Sequence, residues 1–251
     1  MNASLFDLAP AALALTLFCA TLVGFSKSGV PGTGTFAIPL MAWIFPAGPS
    51  TGIFLPMLVI GDIFAVSYYH RHAEWKYVLR PMSWAVLGIL AGYASIKCFR
   101  FSDVFLRRMI GVIVLGVLAF GAWLGKRQGD VQVPHRWWFA ALTGILGGFT
   151  TMTANAAGPI WIVYLLAMNL PKSVFLGTNG YIFLILNVFK IPFSYNLGFI
   201  TGASLLFNLK MAPAIALGAY LGIRTARFIP QKAFDATVRI FTALAAVKLL
   251  M

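Results

Sequence analysis

The chain is a series of long apolar runs, and two of them give way, at corresponding places, to stretches rich in glycine and hydroxyl residues. The long runs lie at about 8–26, 51–69, 77–97, 104–125, 136–152, 173–192, 205–226 and 233–250. A helix needs roughly 20 residues to cross the hydrocarbon core of a bilayer. Helices are the expected spanning element, because each satisfies its backbone N–H and C=O groups within itself. A membrane barrel would alternate apolar and polar residues, and residues 110–123 and 160–167 do not alternate. Two shorter apolar runs, at about 34–46 and 158–170, each follow one of the breaks. The expected class is an all-α, polytopic integral membrane protein with broken or re-entrant helices, forming a single transmembrane domain over residues 1–251.

Composition points the same way. Apolar residues make up 60% of the chain and charged residues only 10%, against roughly a quarter charged in soluble domains. The formal net charge is +13, but the basic residues recur in short clusters between apolar runs. That is the distribution of positive-inside signals, not the single basic patch of a nucleic-acid binder; no nucleic-acid partner is expected. Cys19 and Cys98 give neither a metal-ligand spacing nor a disulfide framework. Asp7, with no Lys or Arg, precedes the first run. We therefore read that run as a retained helix, since a cleaved signal carries a basic leader. The expected location is the cell membrane, inner or plasma, with several passes.

The chain also repeats itself. Gly24-Phe25 and Gly34 match Gly148-Phe149 and Gly158 at an offset of 124. At 125, Pro46, Gly52 and Asp62 match Pro171, Gly177 and Asn187. At 130, Leu79-Arg80, Gly88 and Gly92 match Leu209-Lys210, Gly218 and Gly222. The ordered series predicts two sequence-related helical halves, at about 8–125 and 136–251. Interrupted helices at matching places in such halves are the best pointer in a sequence to a transporter's binding site.

The first break, from Gly24 to Thr35, holds four glycines, Pro31 and the hydroxyl residues Ser26, Ser28, Thr33 and Thr35. These destabilise a continuous helix. Irregular backbone at membrane depth is tolerated only against protein or a wet cavity. A helix that restarts there presents free N–H groups and a positive dipole end, which suit an anion. The second break, from Gly148 to Gly158, brings Thr150, Thr151, Thr153 and Asn155. The candidate anion-binding residues are Lys27, Ser28, Gly32, Thr33, Gly34, Thr35, Thr151, Thr153, Asn155, Asn187 and Lys190. Lys27 is read as the one full positive charge within either break. Lys190, near the end of its run, fits snorkelling to the interface as well as it fits function. Gly29-x4-Gly34 has phosphate-loop spacing, but Thr35-Phe36 stand where Lys and Ser or Thr belong.

Asp62 lies inside an apolar run, about 12 Å along a helix from His70 at 1.5 Å per residue. Acids within the membrane mark proton relays, cation sites or counter-ions. Asp62 is the candidate for proton coupling; Asn187, at the matching place, keeps the shape without the charge. His70, His72 and Glu74 are close together, but nothing else supplies metal ligands at a convincing spacing, so no metal and no cofactor are expected. An interfacial loop with Trp75 as anchor explains them better.

The Gly-rich break, the short helix with Pro39, Pro46, the His/Arg loop closing on Glu74-Trp75, then Pro81 and Gly88-x3-Gly92, all duplicated, resemble the TauE/SafE family of sulfite and organosulfur exporters. The resemblance covers nearly the whole chain. Members usually carry three successive glycines in each break; here the breaks read Val30-Pro31-Gly32-Thr33-Gly34 and Asn155-Ala156-Ala157-Gly158. The resemblance implies secondary transport of a small sulfur-containing anion, sulfite or a sulfonate. The residues by themselves reach as far as a small anion. An anion channel, an integral-membrane enzyme and a structural subunit are the alternatives, and no catalytic residue is assigned. A homo-oligomer is left open.

Two topologies are open. If the clusters Lys97, Arg100, Arg107, Arg108 and Arg224, Arg227, Lys232, Arg239 both face the cytoplasm, the halves run parallel and the short helices are re-entrant. In the rival, the halves are inverted and the short helices complete their crossings; Lys126, Arg127 and Arg136 favour it.

Overall fold

The computed structural model describes residues 8–45, 47–98, 112 and 137–250. Apart from Val112, the expected run at 104–125 lies outside them, as do the cluster residues Arg100, Arg107, Arg108, Lys126, Arg127 and Arg136. The first half contains α1 (Pro10–Ser28), a 3-10 turn (Thr33–Phe36), α2 (Ala37–Ile44), α3 (Ala47–Tyr69) and α4 (Trp75–Cys98). The second contains α5 (Trp137–Ala154), α6 (Gly158–Ala167), α7 (Lys172–Asn196), α8 (Gly202–Phe228) and α9 (Gln231–Leu250). The described residues are all-helical, with no strand. Both breaks fall where the glycine and hydroxyl stretches predicted them. Four helices, Pro10–Ser28, Ser50–His72, Lys172–Asn196 and Gly202–Phe228, are long and apolar enough to cross a membrane.

Polarity is distributed inside out. Asp62, Asn187 and Lys190 are buried, whereas Leu209 and Phe228 are 67% and 78% exposed. A lipid solvent accepts the outer apolar side chains, and the protein interior is the only place where polar ones find partners.

Glycines set the closest helix contacts. A β-carbon on Gly24 would lie 2.0 Å from Ile215 O, and one on Gly218 would lie 1.9 Å from Thr21 O. Thus α1 and α8 meet backbone to backbone, as small residues allow in membranes. The same contact recurs between α5 and α4. There, Gly148 would meet Ala85 O at 2.0 Å and Gly88 would meet Ile145 O at 2.2 Å. Gly24 and Gly148 are matching positions, as are Gly88 and Gly218. Each half therefore lays its fourth helix on the first helix of the other.

Helix directions follow from the order of these contacts. Gly218 meets Thr21, and Gly222 meets Phe25, so α1 and α8 advance together. Gly144 meets Pro81, and Gly148 meets Ala85, so α4 and α5 also run parallel. In the central pair the order reverses. Gly177 faces Tyr69, Gly180 faces Ala65 and Val66, and Asn187 reaches Asp62. Helices α3 and α7 stand at matching positions and are antiparallel. Of the two open topologies this order favours the inverted one; charge clusters alone could not choose, because their sidedness depends on how many times the chain crosses between them.

Candidate functional site

The centre of the molecule lies where α3 and α7 cross and the two breaks approach them. Phe54, Leu58 and Asp62 are spaced four residues apart on α3, and so share one face. The matching residues on α7 are Asn179, Phe183 and Asn187, with Lys190 one further turn along. Asp62 and Asn187 touch: Asn187 Nδ2 donates to Asp62 Oδ2 at 2.6 Å.

Lys27 reaches this crossing from the last turn of α1. Its Nζ is 2.7 Å from Asp62 Oδ1 and 3.8 Å from the centroid of the Phe183 ring. A β-carbon on Gly61 would approach the lysine stem at 3.1 Å, so the absence of a side chain there makes room for it. The ring face adds a cation–π attraction that strengthens with desolvation. Lys27, the one full positive charge within either break, is thus compensated by an acid from outside the breaks. It is half of a buried ion pair.

Lys190 is the second buried lysine, and among the described residues no acid lies within ion-pair distance of it. It does not snorkel; it is 1% exposed. Its Nζ donates to Thr151 O at 2.9 Å, to Thr151 Oγ1 at 2.8 Å and to Asn155 Oδ1 at 2.5 Å. The carbonyl end of α5 opposes part of its charge through the helix dipole. Asn155 in turn donates from Nδ2 to Thr51 O at 3.0 Å. It holds a left-handed backbone with φ 53°, which Asn tolerates better than most residues, and so ends the helix while keeping a polar side chain in the break. The first break uses Gly32, at φ 98°. The α1 break is secured differently: Tyr69 donates its hydroxyl to Ser28 O at 3.1 Å.

Lys27, Asp62 and Lys190 together carry a formal charge of +1 in the interior, counting the described residues. Of the three, Lys27 lines a cavity of about 50 Å³. A water needs roughly 10–15 Å³ on the same measure, so the space suits a few waters or one compact oxyanion. The first break contributes Ser26, Lys27, Gly32 and Gly34 to the wall; the second contributes Thr151, Asn155 and Gly158. Asp62, Asn187 and Lys190 stand one hydrogen bond or ion pair behind that wall.

Other predicted residues are elsewhere or engaged. The Thr33 hydroxyl donates to Val30 O at 2.9 Å, and that of Thr153 donates to Phe149 O at 3.0 Å. Each hydroxyl is engaged as a donor here, because hydroxyls in a turn or helix bond back to the nearest carbonyl. Ser28 is fully buried off the wall, its Oγ without a partner among the described residues. The Thr35 side chain lies outside what the structure describes. Sequence reasoning missed Asn179, which lines the cavity; the four-residue spacing of Asn179, Phe183 and Asn187 was the available signal.

A protein-family model described as Sulfite exporter TauE/SafE matches residues 16–249. Comparison with curated proteins and with solved structures returned no match.

Proposed function

The chain belongs to the TauE/SafE sulfite exporter family, a family of membrane transporters, and from that premise we propose that it carries a small sulfur oxyanion, sulfite or a compact organosulfonate, through the cavity between the two breaks. One observation carries this reading: buried Lys27 lines a cavity of about 50 Å³, with buried Asp62 paired to it and buried Lys190 hydrogen-bonded to the wall residues Thr151 and Asn155. A singly charged anion would bring that group to neutrality while Asp62 is ionised, and a doubly charged one when Asp62 is protonated. Buried charges without compensation are strongly unfavourable, so the site favours an anion over a neutral solute or a cation.

Lys27 lines the cavity while it pairs with Asp62, and this suggests how a proton couples to transport. A proton on Asp62 neutralises the acid and leaves Lys27 free to attract the anion. By linkage, the bound anion favours the proton equally. The two would then move together. Matching helices that run in opposite directions suit alternating access, in which one half rocks against the other. The two halves, at about 8–125 and 136–251, would be the moving parts, and the cell membrane the setting.

Purified protein in proteoliposomes tests the reading. Saturable sulfite flux that responds to a pH gradient is expected. Non-saturating flux would favour a channel. Absence of flux for sulfite, sulfate, sulfonates and carboxylates would overturn the proposal and leave an enzyme or a subunit.

A further inference from the structure

Asn179 is 3% exposed and sits on the cavity wall, one turn of α7 before Phe183. Its side-chain oxygen is sealed from solvent and has no hydrogen-bond partner among the described residues. Its amide NH2 makes no hydrogen bond to them either, so both ends of the group are unengaged. A buried amide left uncompleted is unfavourable; the sealed oxygen is an acceptor, so the NH2 is the end that an anion in the cavity can complete.

Packing does not account for the amide. The matching residue in the first half is Phe54, which is buried in the apolar cluster with Ile53, Met57 and Phe207 and lines the same cavity. An apolar residue is therefore accommodated at this place in the fold. The difference makes the cavity lopsided, with an amide facing it from α7 and a ring from α3. The cation of the wall, Lys27, lies over Phe183, the next cavity-lining residue of α7 along the same face.

We propose that Asn179 contacts the transported anion directly, donating an amide N–H to an oxyanion oxygen held beside Lys27. Lys27 supplies attraction in every direction; the amide supplies one direction, and so orients the anion in the cavity. The assignment rests on the transport reading given above, and it adds a recognition residue to it.

The test uses proteoliposomes with sulfite as the probe, comparing the wild-type protein with Asn179→Leu and Asn179→Asp. Asn179→Asp preserves volume; Asn179→Leu keeps the branched outline with a bulkier side chain, so Asn179→Ser is measured beside it to separate lost bonding from added bulk. Thermal unfolding in detergent checks that each variant is folded. Asn179→Leu is expected to raise KM for sulfite about tenfold, the loss of one hydrogen bond to a charged group, with Vmax changed little. Asn179→Asp is expected to raise it further, because a carboxylate would face the anion. Should Asn179→Leu fail to fold, Asn179→Ser provides the same reading through a shorter side chain. Wild-type KM in the folded variants, alongside normal wild-type flux, would overturn the role of Asn179 and leave the transport reading intact. No saturable anion flux from the wild-type protein would overturn that reading first, and Asn179 with it.

Discussion

Asn187 stands at the position in the second half that Asp62 occupies in the first, and the two side chains are hydrogen-bonded to each other at 2.6 Å. Matching positions that touch lie where the two halves meet. Only one of the pair carries charge, and Lys27 answers it at 2.7 Å. The lysine of the first half thus comes from α1, whereas that of the second, Lys190, comes from α7 and contacts Thr151, the residue that matches Lys27.

The ion pair makes Asp62→Asn more than a change in coupling. Asparagine preserves shape and leaves Lys27 buried without its acid, and breaking a buried pair costs about 3–5 kcal/mol. Lower thermal stability in detergent is expected for Asp62→Asn and for Lys27→Met alone. The double variant should recover much of the loss, a coupling visible in a double-mutant cycle. Additive losses would show that the pair does not form. In whatever Asp62→Asn protein folds, flux should no longer respond to a pH gradient.

Lys190→Met removes the buried lysine that has no acid within ion-pair distance among the described residues. Sulfite affinity should fall at least about tenfold, since hydrogen bonds to charged groups contribute roughly 1.5–3 kcal/mol and Lys190 orders both Thr151 and Asn155. Lys190→Arg should rescue poorly. A planar guanidinium cannot place three donors on Thr151 O, Thr151 Oγ1 and Asn155 Oδ1 as a compact ammonium does. Equilibrium binding of sulfite to detergent-solubilised protein measures both; wild-type affinity in Lys190→Met would remove the residue from the site.

Gly24→Ala and Gly148→Ala should destabilise to a similar degree, because each new methyl would meet a carbonyl oxygen at 2.0 Å and force α1 from α8 or α5 from α4. Gly202→Ala is the control. Nothing lies within 4 Å of its added carbon, so stability should be unchanged or raised by up to about 1 kcal/mol through reduced freedom of the unfolded chain. Melting temperatures compare the three. Equal effects at Gly24 and Gly202 would contradict the close approach of α1 and α8.

Antiparallel α3 and α7 place the ends of α4 and α8 on opposite faces. Single cysteines at Ser102 and Gln231, in a chain without Cys19 and Cys98, should react with a membrane-impermeant reagent from opposite sides. Labelling of both from one side would restore the parallel arrangement.

The sequence by itself determined the class, the helices, the two breaks and the matching glycines. Each of these rests on local composition: apolar runs of spanning length, residues that cannot continue a helix, and side chains small enough for backbones to meet. It also singled out Lys27, Asp62, Asn155 and Asn187 as residues that lipid would not tolerate unpaired. Partnership was decided only by the tertiary structure. In the chain Lys27 sits in a break and Lys190 near the end of an apolar run, and neither position names a partner; the crossing of α3 and α7 aims one at a carboxylate and the other at the carbonyl end of α5. The hydroxyls of Thr33 and Thr153 seemed available until the backbone set a carbonyl beside each. Asn179 drew no notice, because an amide in an apolar run gains meaning only once a cavity stands in front of it. Charge compensation depends on distances between segments remote in sequence, and those exist only after the helices have packed.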